Sequence, residues 1–130
     1  MKSTLQSQSR NGGDPRWGAT LDVEDALQRL GNDQDLLRDI MQIYLEDSPA
    51  MIERIHAALS GADAKALQRA AHSLKGLAAT LSAAEVVGVA SQLEQMAASR
   101  NLTDAAKAAA DVDQRVAELN EALQQYLRRK

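Results

Sequence analysis

A chain of 130 residues and 14.0 kDa suits one domain, and 45% hydrophobic with 25% charged residues excludes a wholly disordered protein. Aromatics are only 2%, with no Phe, so the apolar weight falls on Ala, Leu, Val, Ile and Met, a helical composition. Fifteen basic against eighteen acidic residues (net charge -3) leave no basic footprint for nucleic acid, and the lack of Cys removes disulfides, thiol nucleophiles and the usual structural zinc sites.

No apolar run approaches a membrane span, and residues 1–13 lack the apolar core of a signal peptide. A soluble, cytoplasmic domain is expected. Residues 1–18 are polar and punctuated by Asn11-Gly12-Gly13-Asp14-Pro15, which reads as a flexible tail before a helical domain at 19–130, with Trp17 placed to tether its end.

Helix start and stop signals recur from Leu21 onward. Asp22 is a plausible N-cap for a short helix near residues 23–30, ended by Gly31. Asn32 or Asp33 opens a longer segment whose apolar positions Leu37, Ile40, Met41, Tyr44, Met51, Ile52, Ile55 and Leu59 follow one helical face. Pro49 either kinks that helix or starts a second one, and Ser60-Gly61 closes the segment.

Asp63 caps a third helix running to about Leu81, with Leu67, Ala70, Ala71, Leu74, Ala78 and Leu81 as its stripe. Ser82-Ala83-Ala84-Glu85 has the form of a capping box, with Ser82 as N-cap of a fourth helix carrying Val86, Val89, Ala90, Leu93 and Met96. Asn101 is its exit. Thr103 opens the last helix, with Ala109, Val112, Val116, Leu119, Leu123 and Leu127 on its stripe, and Arg128-Arg129-Lys130 suits the negative end of its dipole. Short loops between long amphipathic helices imply antiparallel neighbours. The expected fold is all-α, an up-and-down four-helix bundle with a short additional N-terminal helix.

In such a bundle the informative residues are those the core does not need. On an ideal wheel centred on Leu67, His72 lies at about 140°, Lys75 at about 80°, Ala79 at about 120° and Gly76 at about 180°. His72 therefore points to solvent, with Gly76 and Ala79 beside it and Lys75 on its flank. A glycine inside a helix costs about 0.5–1 kcal/mol relative to Ala, and at an outward position its effect is to clear bulk from around the ring. A neutral imidazole keeps a lone pair for nucleophilic attack on phosphorus, and Lys75 is placed to offset the charge of the phosphoramidate that results. No second base or metal cluster stands out nearby, so this site can carry a phosphoryl group but not generate one from ATP.

His72-Ser73-Leu74-Lys75-Gly76, on the third of five predicted helices, resembles the phosphorylation motif of histidine-containing phosphotransfer (HPt) domains. The likeness runs from about Leu21 to Leu127 and takes in Leu21-Asp22, Arg29-Leu30-Gly31, Tyr44-Leu45 with Pro49, and Gly61-Ala62-Asp63. The resemblance implies a carrier, not a kinase: His72 accepts a phosphoryl group from a receiver-domain aspartate and passes it to another receiver. It implies that Lys75 supports the phosphate, that Gly76 permits approach, and that magnesium belongs to the receiver, with no cofactor or metal of this chain's own. Receiver domains of response regulators or of a hybrid sensor histidine kinase are the implied partners, and the family is mostly monomeric. Where family members continue the motif with further glycines, this chain has Ala79, Thr80 and Ser82.

Gln68 and Arg69, one turn before His72, together with Ala79 and with Gln92 on the next helix, are candidate residues for contacting a docked receiver. His56, off the stripe of the second helix, reads as merely solvated. Met41, Met51 and Met96 read as core filler. The competing reading is a non-catalytic interaction or scaffold bundle in which His72 has no chemistry.

Overall fold

Five helices make up most of residues 20–129, the part of the chain that the computed structural model describes: α1 Val23–Arg29, α2 Gln34–Ser60, α3 Ala64–Thr80, α4 Ala84–Ala98 and α5 Leu102–Arg128. No strand occurs among the described residues, so the all-helical class read from the sequence holds. The tail at residues 1–18 and the tether proposed for Trp17 lie outside the described residues.

Local chemistry sets most of the helix starts. Asp22, Asp33, Asp63 and Asn101 cap α1, α2, α3 and α5, each side chain accepting from the backbone N–H three residues on. Asn101 is thus the entrance to α5 as well as the exit of α4, and α5 begins at Leu102 rather than Thr103. Pro49 neither splits nor restarts the second segment: α2 runs through it as one helix, about 40 Å long at 1.5 Å per residue.

The capping box at Ser82 does not form. Ala83 is the N-cap of α4 and, having no polar side chain, gives no side-chain cap bond. The reason lies in the turn, which repeats one pattern at all three junctions of the long helices. Ala62, Ser82 and Arg100 each take a left-handed conformation (φ 51, 55 and 61). In each case the residue's N–H donates to the carbonyl three back, and the following N–H donates to the carbonyl five back: Asp63 to Ala58 at 2.9 Å, Ala83 to Ala78 at 3.0 Å, Asn101 to Met96 at 2.8 Å. This Schellman closure makes the residue after the left-handed one both the end of one helix and the cap of the next. Ser82 occupies the left-handed place, so its hydroxyl is aimed elsewhere and donates to Asp25 Oδ2 at 2.6 Å.

That hydroxyl helps to fix α1. The N–H of Asp22 donates to the carbonyl of Ser82 at 3.2 Å, and Thr20 Oγ1 donates to Glu85 Oε1 at 3.0 Å. The short helix is thereby held against the α3–α4 turn, where Leu21 and Ala26 are fully buried.

Along the long helices the buried positions fall on single faces: Leu37, Met41, Tyr44 and Ile55 of α2; Leu67, Ala71, Leu74 and Ala78 of α3; Val86, Ala90 and Leu93 of α4; Val112, Leu119 and Leu123 of α5. Burial of each Leu or Val contributes about 1.5–3 kcal/mol, the main force joining the helices. α3 packs between α2 and α4, and α5 packs against both α4 and α2, which closes the ring. Met41 is buried, and Met51 and Met96 are half-buried against the same core. Leu127 is only partly buried, but its carbonyl accepts from Arg38 Nη2 at 2.7 Å while the guanidinium sits 5.9 Å from the Tyr126 ring centroid. Arg38 thus brings positive charge to the C-terminal carbonyls of α5, where a helix dipole favours it.

Candidate functional site

The buried faces of α3 and α4 determine what is left on the surface between them. Leu67, Ala71, Leu74 and Ala78 turn inward, so His72 and Gly76 turn outward, as their wheel positions require. The His72 side chain keeps 67% of its accessible surface. A Cβ built on Gly76 meets nothing within 4 Å, so the surface one turn beyond the ring is open backbone. Thr80 Oγ1 folds back to donate to the Gly76 carbonyl at 3.2 Å, which keeps its hydroxyl on the helix.

The ring is not alone. Glu94 reaches across from α4 and its Oε2 lies 2.9 Å from His72 Nδ1, while Oε1 of the same carboxylate lies 2.6 Å from Lys75 Nζ. Only 18% of the Glu94 side chain is exposed. The hydrogen bond from Lys75, chiefly, and then the bond to His72 hold the Glu94 carboxyl below its ordinary 4.5, against an opposing push from desolvation. It is therefore ionised at neutral pH and acts only as an acceptor. The proton in the 2.9 Å contact belongs to Nδ1, which leaves the lone pair of the neutral imidazole on Nε2.

The sequence shows no second base beside the ring, and Glu94 corrects that reading. The signal was faint. Glu94 follows the core residue Leu93, but which way it faces depends on how α4 is rotated against α3. Gln92, the residue on α4 singled out from the sequence, is exposed and lies about 200° of helix away from Glu94, on a different side from the one that meets the ring.

The remaining candidates divide by side. Gln68 and Ala79 are half-buried on α3, and Arg69 is exposed. Arg69 and Ser73 line a shallow groove of about 620 Å³ between α3 and α2, together with Arg54, Ala57, Gly61 and Ala66. His72 thus stands on a ridge between a carboxylate–ammonium pair towards α4 and a groove with two arginines towards α2. His56 is more than solvated: its Nε2 lies 2.9 Å from Asp113 Oδ2, joining α2 to α5. No cluster of three or more metal-ligating side chains occurs among the described residues, and no helix there is long and apolar enough to cross a membrane.

The family model of the Hpt domain matches residues 39–128, from within α2 to the last residue of α5. Among solved structures the chain is similar to histidine-containing phosphotransfer protein B (HptB) from Pseudomonas aeruginosa PAO1, at 25% identity and a TM-score of 0.81, over 87% of this chain and 98% of that one. No curated protein matches the chain.

Proposed function

The chain belongs to the Hpt domain family, and on that premise we propose that it is a phosphorelay carrier that takes a phosphoryl group onto His72 from a receiver-domain aspartate and yields it to another receiver. The observation that carries the reading is the state of the ring. His72 is exposed, its Nδ1 is engaged by Glu94 at 2.9 Å, which leaves Nε2 as the nitrogen available to a partner, and the open backbone of Gly76 lies one turn along α3. In the transfer, the Nε2 lone pair attacks phosphorus of the aspartyl phosphate, a P–N bond forms, and the P–O bond to the aspartate breaks with its carboxylate leaving.

In this reading Lys75 is held in reserve. Its ammonium rests on Glu94 in the unphosphorylated chain and turns to the phosphoryl oxygens once they arrive, three residues from the ring and on the same side of α3. Gly76 admits the receiver, and Gln68, Arg69 and Ala79 form the rim it meets. Magnesium and the acidic pocket that binds it are supplied by the receiver. The carrier works as a monomeric up-and-down bundle in the cytoplasm, serving a response regulator, a hybrid sensor kinase, or both.

The test is incubation with a phosphorylated receiver domain. Acid-labile, alkali-stable label on the wild type and none on His72→Gln is expected. A wild type that takes none returns the chain to the non-catalytic interaction bundle, and label that persists on the variant shows that a residue other than His72 is the acceptor.

A further inference from the structure

We infer that Glu94 is a positioning residue that sets the lifetime of the phosphoryl group, by keeping the proton on Nδ1 of phosphorylated His72. This rests on the carrier reading above. When Nε2 of an Nδ1–H imidazole attacks phosphorus, the product ring carries the Nδ1 proton and a positive charge. Two fates follow. If the proton is lost to solvent, breaking the P–N bond must expel an imidazolate, a poor leaving group. If the proton stays, the electron pair of the P–N bond returns to Nε2 and neutral imidazole leaves, while an acceptor carboxylate, or water that gives its proton to solvent, forms the new P–O bond.

The surroundings of Nδ1 decide between these fates. A carboxylate at 2.9 Å favours the charged, protonated ring, whereas a neutral amide in the same place makes a similar hydrogen bond without the charge. The other charged groups around the ridge are three cations, Lys75 and Arg69 on α3 itself and Arg54 of α2 across the groove, and one acid, Asp63. Asp63, at the start of α3, lines that groove nine residues before the ring and caps its own helix. Among the described residues, Glu94 is the acid that contacts the ring. Lys75 strengthens the effect once transfer has occurred. Before transfer it holds Oε1 of the same carboxylate at 2.6 Å. A phosphoryl group on Nε2 draws the ammonium away, and the negative charge of Glu94 is then left to Nδ1. Arrival of the phosphoryl group thus prepares its own departure.

The experiment phosphorylates wild type, Glu94→Gln, Glu94→Ala and His72→Gln with potassium phosphoramidate and follows the phosphohistidine by 31P NMR near neutral pH. Imidazole 15N shifts of the same samples report the Nδ1 proton. The wild type is expected to keep the Nδ1 proton and to lose its phosphoryl group about tenfold faster than Glu94→Gln, in which the ring is deprotonated; an opposite charge next to a titrating group moves its equilibrium by about that much or more. Equal lifetimes and equal 15N shifts in wild type, Glu94→Gln and Glu94→Ala, with helicity intact by circular dichroism, overturn the inference. A folded Glu94→Gln chain that takes no label also overturns it, because the lifetime of the product is the step assigned to Glu94. Label on His72→Gln, or none on the wild type, overturns the carrier reading instead and the inference with it.

Discussion

Lys75 Nζ lies 2.6 Å from one oxygen of Glu94, and the other oxygen of that carboxylate holds Nδ1 of His72. One acid on α4 therefore organises two residues of α3 that lie three apart in sequence. The ammonium holds the carboxyl ionised, and the ionised carboxyl in turn fixes which imidazole nitrogen is free.

This arrangement has a pH signature. Glu94 titrates below its ordinary 4.5 in the folded chain, mainly because of Lys75, so its contribution to stability is fully present above that value. The contribution is lost as pH falls through the lowered folded value. Lys75→Met removes the largest cause. Urea midpoints of wild type and Lys75→Met are expected to differ at neutral pH and to converge as pH falls through the lowered folded value of Glu94. A gap that widens on acidification contradicts the assignment.

Gly76 sets stability against access. A Cβ there meets nothing within 4 Å, so Gly76→Ala is expected to stabilise the fold by about 0.5–1 kcal/mol through helix propensity alone. The same methyl group stands one turn from the phosphoryl acceptor, and phosphotransfer from a receiver is expected to slow. Thermal melts and single-turnover transfer measured on one preparation read both. A variant that is more stable and equally fast shows that the bare backbone does not serve approach.

Pro49 lies inside α2 and cannot donate to the carbonyl of Leu45 one turn back. Pro49→Ala is expected to raise the melting temperature, since an interior proline costs as much as about 3 kcal/mol. A lower melting temperature instead assigns the proline a packing role beside Ser48, which is buried and accepts from Asn120 Nδ2 of α5 at 3.3 Å.

Tyr44 is fully buried, and its hydroxyl has no hydrogen-bond partner among the described residues. Desolvation pushes the phenol well above its usual range. Tyr44→Phe removes a polar group that costs free energy where it sits and is expected to stabilise the chain by about 1 kcal/mol. Destabilisation by a similar amount reveals a partner for the hydroxyl.

The fold was legible where one signal decided it. Asp22, Asp33 and Asp63 announce helix starts because a short acidic side chain satisfies an orphan N–H whatever lies around it. Where two local rules compete, the turn wins. Ser82 looks like a cap, but a three-residue reversal needs a left-handed residue at that place, and Ser82 is the residue available. At the site, the outward turn of His72 and Gly76 follows from the α3 period alone. Glu94 does not, because its contact spans 22 residues and depends on the relative rotation of two helices, which neither helix encodes by itself.

The most direct test of the account asks which atom carries the phosphorus. In phosphorylated, 15N-labelled chain, long-range 31P–15N and 1H–15N correlations identify the nitrogen bonded to phosphorus. Phosphorus is expected on Nε2 of His72, with Nδ1 still turned to Glu94. Phosphorus on Nδ1, on His56, or on no histidine at all contradicts it.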